Sequence, residues 1–257
     1  MKRTALPPPR RSARYGWLPD LPDCRDHRYE AVRRVPRVLP KSVDLRDGCS
    51  AVEDQGELGS CTANALVGAL EFLERKNGAV LSELSRLFVY FNERAIEGTV
   101  GQDSGAMLRD GIKTLARLGV CGETLWPYVI AEFASRPPAA CFTEAAGRRI
   151  ASYQRLQTLE EMRLCLAGGF PFVFGFTVYE SFESPAVARR GRVDLPKPDE
   201  RVLGGHAVCA VGYDDPARRF LVRNSWGAAW GQGGYFTIPY DYLADRNLSD
   251  DFWTIRK

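Results

Sequence analysis

Apolar side chains recur at intervals of three and four residues across residues 65–73, soon after Cys61, and this spacing predicts a helix. Asn77 and Gly78 follow, and a glycine there can adopt the left-handed backbone that ends a helix. Cys61 is therefore predicted to lie at a helix N-terminus, where unpaired N–H groups and the helix dipole favour an anion. This position suits a thiolate nucleophile, although a lone cysteine is more often a small buried hydrophobe.

The same spacing predicts two further helices. One covers residues 82–95, with Ser82 as its N-cap and Gly98 beyond its end, and the other opens at residues 104–106 and stops at Gly119. These segments make the first half of the chain helical.

The pattern changes after residue 140. Alternating or continuous apolar runs predict strands at residues 150–156, 170–178, 206–213, 220–224 and 234–238. A capping box at Thr158 predicts one short helix to Ala167. We therefore predict an α+β protein with a helical lobe over residues 41–140 and a β-rich lobe over residues 141–257.

Residues 1–40 form a separate Pro/Arg-rich arm. They hold seven of the sixteen prolines, and proline at this density prevents regular helix. Residues 15–22 carry too many large apolar groups for a purely solvated tail, so we expect the stretch 15–21 to reach over the Cys61 cleft. The alternatives are an arm that stabilises the back of the molecule and a disordered tail. The arginine-rich run at 33–37 is more typical of a solvated linker than of a nucleic-acid patch.

Composition excludes several function classes. Hydrophobic residues make up 45% of the chain, charged residues 26%, and the net charge is +3, which favours a globular protein with no nucleic-acid partner. No apolar run approaches eighteen residues, so we expect no membrane partner. The first residues lack a secretory leader, which predicts a cytoplasmic protein or export without a signal peptide. Two histidines and seven cysteines without a Cys-x-x-Cys pair predict reduced thiols, no metal site and no cofactor.

Two later stretches supply partners for Cys61. His206 precedes the apolar run 207–213, and Asn224 stands beside Trp226. A cysteine, a histidine and an asparagine can act as nucleophile, base and orienting residue. Taken singly, His206 would be a hydrogen-bonded core histidine and Asn224 a turn residue.

At these residues the sequence resembles the papain-like cysteine peptidases. Residues 224–235 match the family pattern Asn-Ser-Trp-Gly-x-x-Trp-Gly-x-x-Gly-Tyr at every fixed position. The resemblance implies a two-lobed papain-like fold with a helical N-terminal lobe, a β-barrel-like C-terminal lobe and the active site in the cleft between them. It also implies that Gln55 serves the oxyanion hole, Cys61 is the nucleophile, His206 the general base and Asn224 the residue that orients the imidazole.

The resemblance further implies the substrate-binding positions. Ser104 and Gly105 stand where the family has a Gly-Gly pair that binds the substrate main chain, and Ser104 could equally be a helix cap. Gly205 would line a pocket, and Trp226 would shield the hydrogen bond between His206 and Asn224.

The chain also departs from the family, in a way that indicates a divergent, bacterial-type member. Leu58 replaces the first cysteine of the nucleophile signature, so the usual disulfide beside the cleft is absent, and Thr62 replaces the aromatic residue. The arm of forty residues is too short for the long helical propeptide that the family commonly carries.

These features imply a cysteine endopeptidase that hydrolyses polypeptides through a thioester and is regulated by its own N-terminal segment. A thiol acyltransferase, such as a ligase or deamidase, would use the same residues. A non-catalytic binding protein would normally have lost one of the four, and a metal-dependent hydrolase lacks ligands.

Overall fold

The computed structural model describes residues 15–29, 38–80 and 82–257 of the 257-residue chain. The arginine-rich run at 33–37 and the prolines at 7–9 lie outside these residues. The helices are α1 (Cys61–Lys76), α2 (Arg86–Glu97), α3 (Leu108–Arg117), α4 (Ala139–Ala145), α5 (Leu159–Ala167), α6 (Pro185–Arg190) and α7 (Tyr240–Ala244). The strands are β1 (Trp17–Leu18), β2 (Ser42–Asp44), β3 (Ala106–Met107), β4 (Ser152–Arg155), β5 (Phe172–Tyr179), β6 (Val202–Asp214), β7 (Arg219–Arg223), β8 (Tyr235–Pro239) and β9 (Ser249–Arg256).

Helix α1 lies at the centre of the molecule and confirms the first prediction. It begins at Cys61, and Gly78 beyond its end has a φ of 82°. Nearly all of its length is buried between α2, α3 and strand β6. A buried helix with a fixed N-terminus holds its first side chain rigidly.

Two helices begin later than their sequences predict. Ser85, and not Ser82, caps α2, because the Glu71 carboxylate accepts the Leu84 N–H and keeps the preceding residues extended. Ser104 does not cap α3, which starts at Leu108, because Gly105 adopts a φ of 73° and the next two residues form strand β3.

The second half is built on a seven-stranded sheet. Its strands follow the order β4-β9-β5-β6-β7-β8, and β2 pairs with β6 off this path. The strand order does not close into a barrel among the described residues, and the α+β, two-lobed prediction is confirmed. The sequence missed β9, because its polar start at Ser249 hides an apolar strand that lies between β4 and β5.

Buried polar contacts join the two lobes behind the cleft. Arg223 of β7 donates to the carbonyl oxygen of Ser50 at 2.6 Å, and the Ser50 hydroxyl donates to Glu71 of α1 at 2.5 Å. The N–H of Gln55 donates to the carbonyl of Ser225 at 2.8 Å. The loop that precedes α1 is therefore fixed to the sheet before the helix begins.

Three helices meet at Gly111 of α3, where no room exists for a methyl group. A Cβ there would lie 2.5 Å from Glu93 Oε2 and would overlap Leu66. We expect Gly111→Ala to lower the free energy of unfolding by about 1–3 kcal/mol, as overpacking does. Denaturant titration measures this, with Gly101→Ala as the control, because nothing lies within 4 Å of a Cβ at Gly101. Equal stabilities for the two variants would contradict this packing.

Candidate active site

The nucleophile candidate is held at the point where α1 meets the sheet. Cys61 is fully buried, and its Sγ accepts the N–H of Ala207 at 3.3 Å. Ala207 follows His206 on β6, so this one contact brings the sulfur beside the imidazole-bearing residue. The thiol of Cys61 thus forms a direct contact between α1 and β6.

His206 and Asn224 are joined by a hydrogen bond whose direction is defined. His206 Nε2 lies 2.8 Å from Asn224 Oδ1, and the same Oδ1 accepts the N–H of Ser225 at 2.9 Å. Because a backbone N–H can only donate, that atom is the amide oxygen, and Nε2 carries the proton. In the neutral ring, Nδ1 then keeps the lone pair that could take a proton from a thiol.

Aromatic rings surround this pair. The Trp226 ring lies 5.1 Å from the His206 ring at an interplanar angle of 30°, and the ring of Phe176 lies 5.7 Å away. Trp226 and His206 are both buried. These rings therefore cover the His206–Asn224 hydrogen bond.

Both the oxygen and the nitrogen of the Gln55 side-chain amide form hydrogen bonds. Its Oε1 accepts the Ser225 hydroxyl at 2.6 Å, and its Nε2 donates to the carbonyl of Leu58 at 2.9 Å. The side chain is buried in the turn that leads into α1. The structure thus holds Gln55 in the loop just before the nucleophile candidate.

The N-terminal arm runs through the cleft. Strand β1 pairs in parallel with β3, and the Gly16 carbonyl accepts the N–H of Ala106 at 2.8 Å. The Gly16 N–H faces the Cys61 sulfur and lowers the pKa of the thiol, against the larger effect of burial. A Cβ on Gly16 would overlap the Gly59 carbonyl, so only glycine fits between the cleft walls here.

The predicted substrate-binding residues meet the arm to different extents. A Cβ on Gly105 would overlap the Gly16 backbone, and a Cβ on Gly205 would lie 2.8 Å from the Trp17 ring. The Trp226 ring lies 6.2 Å from that of Tyr15.

Ser104 takes a different part from the other predicted positions. Its hydroxyl donates to the carbonyl of Gly105 at 3.1 Å. This contact is local to the turn, so the structure gives Ser104 a role in shaping the loop.

The occupied cleft changes the ionisation of the thiol. Burial raises the pKa of Cys61 to about 12, although the N–H groups of Ala207, Gly16 and Thr62 oppose the shift. The cysteine is therefore a neutral thiol at pH 7, whereas its helix-terminal position predicts a thiolate. The difference arises because desolvation of the sulfur outweighs the helix dipole.

A buried carboxyl lies behind the thiol. Glu93 of α2 accepts the Thr62 hydroxyl at 2.6 Å, and burial raises the pKa of Glu93 well above its usual range. Thr62 replaces the aromatic residue of the expected signature, and its hydroxyl supplies a partner for this carboxyl.

Sequence reasoning missed the residues that anchor the arm. Trp17 Nε1 donates to Asp251 Oδ2 at 3.1 Å, and Trp253 Nε1 donates to Asp20 Oδ2 at 2.9 Å. Burial raises the pKa of Asp251 to about 7, with the Asp20 charge adding to the shift. The only signal in the sequence is a pair of acidic residues ahead of the apolar run at 252–255.

Two arginines complete this anchor. Arg109 forms a bidentate pair with Asp26, at 2.6 Å for its shorter contact, and Arg155 binds both Asp26 and Asp251. The Tyr15 hydroxyl donates to the Glu183 carboxylate on the other side of the cleft. The arm is thus bound on both sides of Gly16.

Other kinds of site are not found in the described residues. Within residues 15–29, 38–80 and 82–257, no group of histidine, cysteine or acidic side chains is arranged to hold a metal ion. No helix in that part of the chain is long and apolar enough to cross a membrane.

Comparison with known proteins identifies the fold and the family. Residues 39–249 match the model of the papain family cysteine proteases. The solved structure of xylellain, a cysteine protease from Xylella fastidiosa, is 43% identical with a TM-score of 0.90, and the match covers 99% of each chain. Bromelain from Ananas comosus, at 22% identity and a TM-score of 0.66, covers 85% of this chain and 99% of its own, and shares the fold.

Curated relatives agree with this placement. An uncharacterised peptidase C1-like protein of Acanthamoeba polyphaga mimivirus is 40% identical over 96% of this chain and 88% of its own. Cysteine proteinase 3 of Entamoeba histolytica is 25% identical, and the match covers 82% of this chain and 66% of the relative. The chain belongs to the papain family of cysteine proteases and is a cysteine endopeptidase.

Proposed function

We propose that the chain hydrolyses peptide bonds with Cys61, His206 and Asn224, assisted by Gln55, and that the segment Tyr15–Leu18 holds it inactive until displaced. The observation that carries this is the meeting of Cys61 Sγ, Ala207 N–H and the His206–Asn224 hydrogen bond at one buried point. Nucleophile, base and orienting group lie on different elements, and only the fold brings them together.

The chemistry follows from these positions. Once the cleft admits substrate and water, His206 Nδ1 takes the thiol proton, because Nε2 is held by Asn224. The sulfur bonds to the scissile carbonyl carbon, and the oxyanion lies near the Cys61 N–H at the start of α1 and the Gln55 amide. His206 then returns the proton to the leaving amine as the C–N bond breaks. Water hydrolyses the thioester and releases the acid.

The arm lies in this cleft in a form that resists attack. Its Gly16 carbonyl accepts the Ala106 N–H at 2.8 Å, so this peptide group is fixed against β3 by strand pairing. The parallel pairing of β1 with β3 continues through Trp17 and Leu18, so the arm is held against this wall beyond Gly16. We therefore infer that the arm blocks the site without being cut there.

A thiol acyltransferase would use the same residues and form the same thioester. It would differ from a peptidase only in that an amine, and not water, attacks the thioester. No contact among the described residues favours an acceptor amine over water, so hydrolysis is the function we propose.

The first functional prediction ranks four residues in a chain whose arm is loosened by Trp17→Ala. Cys61→Ala should abolish hydrolysis of a fluorogenic peptide, while Cys24→Ala, which removes an exposed thiol on the arm, should leave it unchanged. Gln55→Ala should lower kcat by roughly 10²–10³, the usual effect of removing one oxyanion donor. His206→Ala should cost more than this and Asn224→Ala less.

Steady-state kinetics with each variant tests these roles. A Gln55→Ala effect confined to KM would assign that residue to substrate binding. Turnover by Cys61→Ala comparable to the parent would contradict the proposed reaction.

The second functional prediction concerns the arm. Trp17→Ala removes a buried indole, which should weaken the docked arm by about 3 kcal/mol and raise the open population about a hundredfold. Leu21→Ala is the matched control, because Leu21 lies on the same arm and is 68% exposed. We expect kcat/KM to rise in the first variant only.

Alkylation gives an independent measure of opening. Iodoacetamide at pH 7.5 should modify the exposed Cys24 in every variant, whereas Cys61 should react only when the arm is loosened, since its raised pKa keeps it protonated in the closed state. Peptide mass spectrometry measures both sites in one sample. Equal labelling of Cys61 in the parent and Trp17→Ala proteins would show that the arm does not protect it.

A further inference from the structure

The Trp17 side chain lies in a slot whose floor is formed by two glycines on one face of the sheet. Gly175 of β5 and Gly205 of β6 lie against the indole, and a Cβ on either glycine would overlap the ring or approach it to 2.8 Å. The indole is 8% exposed. The absence of side chains at these two positions thus lets an aromatic ring lie flat against the sheet.

The end of the slot is a buried carboxylate. Asp251 Oδ2 accepts Trp17 Nε1 at 3.1 Å and the N–H of Asp20 at 2.8 Å, while Oδ1 accepts Arg155 at 2.7 Å. Both donors to Oδ2 belong to the arm, so they leave together when the arm leaves. Asp251 Oδ2 then loses both donors, and binding of a ligand that supplies another N–H is favoured.

This slot opens into the cleft that a substrate must occupy. Trp17 directly follows Gly16, which is packed between Gly59, two residues before Cys61, and Gly105. A chain bound at Cys61 therefore passes the mouth of the slot within one or two residues of the reacting sulfur.

Charge argues against a cationic occupant. Departure of the arm removes Asp20 and Asp26, the two ion-pair partners of Arg109. The remaining carboxylates, Asp250 and Asp251, are still paired with Arg155, and Asp250 also with Arg246. No excess negative charge therefore remains to hold a lysine or arginine of the substrate.

We propose that the slot over Gly175 and Gly205, closed by Asp251, is a specificity pocket that prefers tryptophan in the substrate. The preference rests on the proposed peptidase function and gives it a substrate class: polypeptides with an indole close to the cleaved bond. Phenylalanine can lie flat on the same glycines but has no N–H for Asp251, and leucine has neither the flat ring nor the N–H. In the docked arm, Trp17 occupies this pocket with the same type of side chain that the pocket prefers in a substrate.

The test uses the full chain with Trp17→Ala, which empties the slot. Peptides of one sequence carry tryptophan, phenylalanine or arginine at each of the three positions before a coumarin amide. At the preferred position, kcat/KM for tryptophan should exceed that for phenylalanine about tenfold, the order of one hydrogen bond to a buried charged group.

Asp251→Asn in the same chain isolates the hydrogen bond. Asp251 has a φ of 57°, which asparagine tolerates, and the amide can keep its oxygen toward Arg155 while its NH₂ faces the indole. The preference for tryptophan should disappear. Asp250→Asn is the matched control, because that carboxylate binds Arg155 and Arg246 and not the arm, and the preference should persist.

Binding separates this inference from the proposed reaction. Calorimetry measures the dissociation constants of the same peptides on the chain that carries Trp17→Ala and Cys61→Ala, where no cleavage occurs. If the tryptophan peptide binds more tightly than the phenylalanine peptide, but the chain with Trp17→Ala alone does not cleave it, the pocket is supported and the peptidase reaction is contradicted. Turnover with equal rates for tryptophan and phenylalanine, or a preference for arginine, would overturn the pocket and leave the reaction standing. Absence of both binding and turnover would contradict both.

Discussion

The hydrogen bond from the Ala207 N–H to the Cys61 sulfur is the contact on which the site depends. It ties the first residue of a buried helix to the strand that carries His206. The lobes are already joined behind it by the Arg223–Ser50–Glu71 chain of hydrogen bonds, so neither wall can move freely. A nucleophile and a base on different elements need such a rigid frame, because small displacements are costly in catalysis.

The docked arm lies in the same narrow space. With Gly16 between the walls, the sulfur is cut off from water, and desolvation raises the pKa of the thiol to about 12. Inhibition by the arm, as we propose it, would combine a covered sulfur with a thiol that burial keeps neutral. Only one glycine backbone fits there, and larger side chains on either side, Tyr15 and Trp17, provide the buried surface that holds it.

The anchor of the arm is polar as well as apolar. Asp20 and Asp251 are both buried carboxyls, and each accepts an indole N–H from the other's segment. Arg109 and Arg155 bind this acidic group from the body of the protein. Buried charges of this kind cost free energy when unpaired, so the arrangement stabilises one docked geometry of the arm over sliding alternatives.

The sequence alone determined those features that depend on local order. Helix α1 with its stop at Gly78, the capping box at Thr158 and the strand at His206 all follow from periodicity and caps within a few residues. The candidate residues Gln55, Cys61, His206 and Asn224 could be named because each stands in a short, distinctive motif, and the fold brings them to one place.

Tertiary structure alone decided what those motifs meet. Trp17 and Asp251 are 234 positions apart, and no local pattern marks either as a partner of the other. The later start of α3 and the place of β9 inside the sheet likewise depend on pairing with distant strands. The protonation of Cys61 was beyond sequence reasoning for the same reason: desolvation is set by everything that packs around the sulfur, whereas the helix dipole is set by the residues next to it.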